Sequence, residues 1–242
     1  MMAVALSAAA AMVAGGVVKG TLGVGLPLLV VPLLSLFLPA SQAMGLLVMP
    51  VLVSNMVQAR QGGLWRQSLR RFGPLMLAQA LASLVAIHVS IGWSNKALDL
   101  AMGLTVLVAV LIMVRQPKGE IGPAQERWLS PLVGALAGGM AGLSSLTGPL
   151  LIAYLLALRL PREVFVGSIS IIYLLGALPM YGAMLAWGRF GWAEVAWSCL
   201  ALLPMHLGLA LGTRVRQRID ERLFRRLLLG LLIGIGLMLM LR

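Results

Sequence analysis

The chain has 242 residues, of which 60% are hydrophobic and 11% are charged, and its mean hydropathy is +0.99. A soluble domain is usually about 45–50% apolar and about 25% charged, so this composition excludes a soluble globular protein. The net charge of +12 does not indicate nucleic-acid binding, because the basic residues lie in short loops between apolar segments, as in the cytoplasmic loops of membrane proteins. We therefore predict an all-α polytopic membrane protein whose surroundings are lipid, with no nucleic-acid partner.

Apolar segments follow one another from end to end. Because backbone groups in lipid must be satisfied internally, all of them should be helical. In each half of the chain the first two segments are short, and a break rich in glycine or hydroxyl residues separates them, at 19–25 and at 142–148. The segments cover residues 3–18, 21–38, 41–59, 72–92 and 97–114 in the first half, and 129–143, 148–160, 163–186, 192–212 and 222–241 in the second.

The two halves are related to each other in sequence. A shift of 122 residues aligns residues 16–45 with 138–167 without gaps. Matches between leucines are expected by chance in such a chain, but matches between glycines and prolines are not. We predict two homologous repeats, 1–115 and 129–242, joined by a polar linker at 116–128. The matched pairs are Gly16/Gly138, Gly20/Gly142, Pro27/Pro149, Pro39/Pro161 and Gly45/Gly167.

The two short segments of each half either return to the same face of the membrane as a hairpin or cross it once as a kinked span. With hairpins at 3–38 and 129–160, fifteen loop Lys and Arg residues share one side and three take the other, whereas kinked spans divide them nine and nine. Short loops follow the positive-inside rule, so we predict hairpins. Each repeat then has a broken-helix hairpin plus three transmembrane helices, the repeats are inverted, the linker is cytoplasmic and both termini lie outside.

Short interrupted segments at matching positions of inverted repeats indicate the binding site of a transporter, near the membrane midplane. Lys19 is the formal charge inside an apolar stretch at the first break. An ammonium group at membrane depth costs roughly 2.5–3.5 kcal/mol on insertion scales, which favours a functional role. We predict that Lys19 binds an anion. The alternative is that its side chain snorkels to the cytoplasmic headgroups.

Glycines at the breaks let the backbone approach a ligand, and the helix N-termini that follow suit an anion. Hydroxyl groups at the breaks supply further donors, and the alternative for each is packing between helices. Asn55 is a weaker candidate in the third segment. The predicted substrate-binding residues are Lys19, Gly20, Thr21, Gly23, Gly25, Asn55, Gly142, Ser144, Ser145, Thr147 and Gly148.

Other chemistry has little support in the sequence. His88 and His206 lie in the fourth segments and could relay protons, although a histidine near a helix end is more often structural. The motifs of zinc proteases, nucleophile elbows and phosphate loops are missing from the sequence. We therefore predict neither an enzyme nor a cofactor or metal.

The stretch GGVVKGTLGVGLPLLVVPLLSLFLP (15–39), followed by AGLSSLTGPLLIAYLLALRLP (141–161), resembles the TauE/SafE family of sulfite and organosulfonate exporters. The resemblance covers nearly the whole chain. It implies transport of small sulfur-containing or related anions across the bacterial inner membrane, which we expect to occur by alternating access around the two breaks. An anion channel with a pore between the breaks is the main alternative, an intramembrane enzyme is a more distant one, and a homodimer stays open.

Overall fold

The computed structural model describes residues 2–22, 25–115, 119–215 and 221–241. All regular structure in these ranges is helical, which confirms the predicted all-α class. The helices are α1 (Met2–Leu22), α2 (Leu26–Ser35), α3 (Ala40–Gly45), α4 (Val48–Gly62), α5 (Trp65–Val89), α6 (Asn95–Arg115), α7 (Pro123–Ser144), α8 (Gly148–Ala157), α9 (Arg162–Ala186), α10 (Trp192–Leu200), α11 (Leu202–Val215) and α12 (Glu221–Leu241).

The described residues include four helices that are long and apolar enough to cross a membrane, and a bent pair that counts as a fifth span if it is continuous. Side chains on their outer faces, such as Leu77 and Val85, are more than 60% exposed in the protein alone, as expected for surfaces that face lipid. The four spans are Ala40–Arg60, Trp65–Val89, Asn95–Arg115 and Glu163–Ala186, and the bent pair is Trp192–Leu200 with Leu202–Arg214. The shorter apolar helices are Leu6–Thr21, Leu26–Ser35, Gly148–Ala157 and Arg226–Leu241.

Two helices begin well before the apolar segments that predicted them. The fourth segment was expected to begin at 72 and the sixth at 129, whereas α5 begins at Trp65 and α7 at Pro123. A search for apolar residues misses a polar first turn that is nevertheless helical. Arg71 and Glu126 join these two polar ends through an ion pair of 2.7 Å.

Two predicted segments are each interrupted by proline. The segment 192–212 is split into α10 and α11, which are inclined at 41° to each other. Pro204 lacks the N–H that would bond to the carbonyl of Leu200, four residues earlier, and this is where the bend lies. Pro50 stands in the same relation to Leu46, between α3 and α4.

The breaks of the predicted hairpins are shorter than the sequence indicated. Helix α1 continues to Leu22, so Lys19 lies in its last turn, and α7 continues to Ser144. Two residues in the left-handed region mark the turns: Gly25, with φ of 101°, precedes α2, and Ser145, with φ of 58°, follows α7. Glycine adopts this conformation without steric cost, whereas the serine is held there by its surroundings.

The first helix of each half packs against a helix of the other half. Helix α1 lies on α11, and α7 lies on α5. Helices α4 and α9 form a further pair, as do α6 and α12. Exchanging the two halves therefore converts the α1/α11 contact into the α7/α5 contact and leaves the other two pairs unchanged.

Glycines form the closest points of these crossings. A methyl group added to Gly16 would lie 2.3 Å from the carbonyl oxygen of Met205, and one added to Gly138 would lie 2.2 Å from that of Gln79. Such distances leave no space for a side chain, so the helices touch backbone to backbone, as small residues allow in membranes. Gly16 and Gly138 are also partners in the sequence repeat.

Candidate functional site

The two breaks lie together at one small cavity. Its wall contains Gly25–Leu28, from the end of the first break and the start of α2, and Ser145–Gly148 from the second break; the rest comes from α1, α4, α5 and α9. The cavity has a volume of about 40 Å³, which accommodates roughly three water-sized groups. A small ion is therefore the size of ligand that fits this conformation.

Lys19 is the charged group of the cavity wall. Its side chain is 5% exposed, and its ammonium group donates hydrogen bonds to Ser54 Oγ at 2.8 Å and to Asn55 Oδ1 at 3.1 Å. Both partners are on α4, so the side chain points into the protein and does not extend toward the lipid headgroups, as the snorkelling alternative would require. An ammonium group has three donors, so one N–H is left after these two bonds.

Lys19 has no acidic partner at the cavity. No Asp or Glu is among the lining residues, all of which belong to the described part of the chain. The two ion pairs of the described ranges, Arg71–Glu126 and Arg159–Glu120, involve other residues. A buried cation without a counter-ion is costly, and a bound anion would supply one.

Ser54 and Asn55 hold the ammonium group in place. The Ser54 hydroxyl donates to the carbonyl of Pro50 at 2.5 Å, so its oxygen is oriented to accept from Lys19. Asn55 uses its carbonyl oxygen for Lys19, which leaves its NH₂ group as a donor at the cavity wall. The first half of the chain therefore supplies a cation and further donors from two neighbouring helices.

The second break contributes hydroxyl groups. Ser145 is 4% exposed, lies beside the Tyr181 hydroxyl, and has no hydrogen bond of good geometry to its Oγ within the described residues. Thr147 precedes the first turn of α8, and the hydroxyl of Tyr173 donates to the carbonyl of Gly148 at 3.3 Å. An unsatisfied buried hydroxyl is costly unless a ligand completes it.

The predicted site residues fall into two groups. Four of them lie off the cavity wall: Gly20 and Gly142 pack closely on α11 and α5, and the hydroxyls of Thr21 and Ser144 bond to backbone carbonyls. Gly23 lies outside the described residues. The predicted residues that line the cavity are Lys19, Gly25, Asn55, Ser145, Thr147 and Gly148.

Sequence reasoning missed three polar residues of the wall. Gln79 is 2% exposed, and its Oε1 has no partner among the described residues. Tyr173 and Tyr181 come from α9. A polar residue in the middle of an apolar segment is the signal that could have indicated Gln79, as it did Asn55.

The two histidines lie away from the cavity. His88 contacts the Trp187 ring edge-on, with centroids 5.5 Å apart, and His206 Nδ1 is hydrogen-bonded to the carbonyl of Leu202 at 2.8 Å. Neither lines the cavity. The described residues also contain no group of three His, Cys, Asp or Glu side chains that could hold a metal ion.

The sequence matches the family described as sulfite exporter TauE/SafE over residues 7–239, which confirms the resemblance noted above. Neither a curated protein nor a solved structure matches it at a significant level. The family match includes both breaks and Lys19, and a transporter of this family takes a small anionic substrate. Together with its apolar helices, the match shows that the chain belongs to the sulfite exporter TauE/SafE family and is a multi-pass membrane transporter.

Proposed function

We propose that this protein transports small sulfur oxyanions, sulfite first among them, by alternating access around the cavity between the two breaks. The observation that carries the proposal is Lys19, a buried cation in a cavity whose wall has no carboxylate. An anion would supply the counter-ion that this group lacks at the cavity, and the hydroxyl and amide donors around it suit oxygen atoms.

The packing of the helices supports two structurally equivalent repeats, which alternating access by an inverted arrangement requires. Two repeats related by an axis in the membrane plane would place equivalent helices in equivalent contacts. The pairs α1/α11 and α7/α5 exchange in this way, with repeat-related glycines at both crossings. In this arrangement the hairpins enter from opposite faces, both termini lie outside, and the protein resides in the inner membrane.

A carrier fits the cavity better than a channel does. A channel needs a continuous water-filled path, whereas this cavity holds about 40 Å³ and a fixed cation that would bind an anion rather than let it pass quickly. In alternating access the same site is opened first to one face and then to the other.

Counterflow in proteoliposomes tests the transport proposal. Vesicles loaded with unlabelled sulfite should accumulate labelled sulfite from outside transiently, and the initial rate should saturate with concentration. A carrier produces this exchange because its binding site, loaded with unlabelled sulfite, carries that ion out and returns with a labelled one before the sulfite gradient has decayed. A voltage-following current without counterflow would favour the channel, and no sulfite flux of either kind would reject the proposed substrate.

Cysteine accessibility tests the topology. Cys199 is exposed and must first be replaced by serine. A probe at Arg66, at the start of α5, should then react only from the cytoplasm, and one at Ser94, beyond its other end, only from outside. Labelling of both from one face would reject the inverted arrangement, although it would leave the family assignment intact.

A further inference from the structure

The charge of the cavity sets the charge of its ligand. The titratable side chains on the wall are Lys19 of α1 and two tyrosines of α9, Tyr173 and Tyr181, while α2, α4, α5 and α8 contribute none. A monoanion beside the Lys19 ammonium group makes the buried site neutral. A dianion would leave one negative charge without a partner in a region of low dielectric constant, at a high cost.

The hydrogen-bonding groups of the wall are of two kinds. Lys19, Asn55 and Ser145 carry donors that no protein group in the described residues fully uses. Gln79 instead carries a buried carbonyl oxygen, Oε1, that has no donor among those residues. A ligand whose oxygens are all bare would satisfy the donors and leave this acceptor unsatisfied.

The position of the Gln79 side chain is closely determined. A methyl group on Gly176 would lie 2.2 Å from Gln79 Nε2, so the amide occupies the space that a side chain at 176 would otherwise take. Gln79 is also only 2% exposed, so bulk water does not reach Oε1. The Gln79 amide group is therefore held in place among the residues that line the cavity.

We infer that the cavity selects the singly protonated, singly charged form of a small oxyanion, with Gln79 Oε1 accepting the proton of the ligand. For sulfite this form is hydrogen sulfite, a small ion of four non-hydrogen atoms. The inference rests on the proposed function and adds the charge and protonation state of the cargo.

A comparison of sulfite with chlorate separates the proton of the ligand from the titration of the protein. Chlorate is a pyramidal oxyanion of similar size that carries one negative charge at every relevant pH. We expect calorimetry of the purified protein to show a ratio of sulfite affinity to chlorate affinity that falls about tenfold per pH unit once hydrogen sulfite loses its proton. Any change in Lys19 affects both ligands and cancels. A ratio independent of pH would overturn the inference.

Gln79→Met tests the acceptor. The substitution keeps the length of the side chain and removes the carbonyl oxygen, so we expect hydrogen sulfite affinity to fall about 2- to 10-fold and chlorate affinity to stay unchanged. Equal losses for both ligands would mean that Gln79 acts as a donor or only in packing, and would overturn its assigned role. Leu77→Met, on the exposed face of the same helix, is the matched control and should change neither affinity.

Sulfate distinguishes failure of this inference from failure of the proposed function. Sulfate is a dianion of similar shape and should bind at least about 100-fold more weakly than chlorate, since its second charge has no partner. If sulfate and chlorate bind equally and Lys19→Ala abolishes both, the proposed anion site at Lys19 stands and charge selection falls. If sulfite, chlorate and sulfate all fail to bind the wild-type protein, both proposals fall.

Discussion

Replacing Lys19 with methionine keeps an unbranched side chain of similar length and removes its charge and its hydrogen-bond donors. An anion in the cavity would lie about 4 Å from the ammonium group, where the attraction between unit charges is about 4 kcal/mol at an effective dielectric constant near 20. Truncating one member of a buried charge pair costs about 2–5 kcal/mol. Anion affinity should therefore fall roughly 30- to 5,000-fold.

The effect of the same substitution on folding should be small. Asn55 Oδ1 loses the donor that now lies 3.1 Å away, which costs about 1–3 kcal/mol for a buried acceptor. Ser54 keeps its own bond to the Pro50 carbonyl. Against this loss, the protein no longer places an ammonium group at membrane depth, a cost of roughly 2.5–3.5 kcal/mol. The two changes nearly cancel.

The assay is calorimetric binding of sulfite to purified protein, together with a thermal melt of the same sample in detergent. Lys19→Met should lose binding while its melting temperature shifts little. Lys96→Met is the matched control, because Lys96 is an exposed lysine in the first turn of α6, and it should bind normally. Wild-type affinity in Lys19→Met would refute the idea that this lysine is the partner of the anion.

Glycine and hydroxyl substitutions give three further predictions. Gly138→Ala should lower the free energy of unfolding by about 1–3 kcal/mol or more, and with it the melting temperature, because the added methyl group would lie 2.2 Å from a carbonyl oxygen of α5. A methyl group on Gly139 meets nothing within 4 Å, so Gly139→Ala should be neutral. Gly25→Ala, at φ of 101°, should cost about 1–2 kcal/mol of backbone strain and reduce the counterflow rate, whereas Gly234→Ala in α12, with nothing within 4 Å, should transport normally. Ser145→Ala should change the order in which competing anions inhibit sulfite uptake more than it changes the maximal rate, and an unchanged order would contradict a role for its hydroxyl group in recognition.

The sequence predicts the helices well because lipid leaves the chain little choice. Every apolar segment had to satisfy its backbone internally, so the class of fold followed from composition. The places where helices begin were harder to predict. The polar first turns of α5 and α7 carry no apolar signal, and the ion pair between Arg71 and Glu126 that joins them depends on a contact across 55 residues.

The candidate site was predictable where a polar residue interrupts an apolar segment, as at Lys19 and Asn55. The roles of the glycines were harder to predict. Gly25 at the cavity and Gly20 at a helix crossing lie in one glycine-rich stretch, and nothing local distinguishes a small residue that faces a ligand from one that faces another helix. The distinction depends on where α11 lies: a methyl group added to Gly20 would be 2.4 Å from the backbone carbonyl oxygen of Leu209 in that helix. Local sequence contains no information on that position.

The crossing of α1 and α11 has a consequence for how the protein is made. Gly16 meets Met205 backbone to backbone, so the groove on the first helix is filled by a helix synthesised about 190 residues later. At roughly 5–20 residues per second, α1 waits about 10–40 s in the membrane for its partner, and its glycine face is covered meanwhile by lipid or by the insertion machinery. By contrast, α7 finds α5 already made. The N-terminal helix therefore waits longest for its partner, and biogenesis should be most vulnerable to substitutions in α11, although they lie far along the chain from α1.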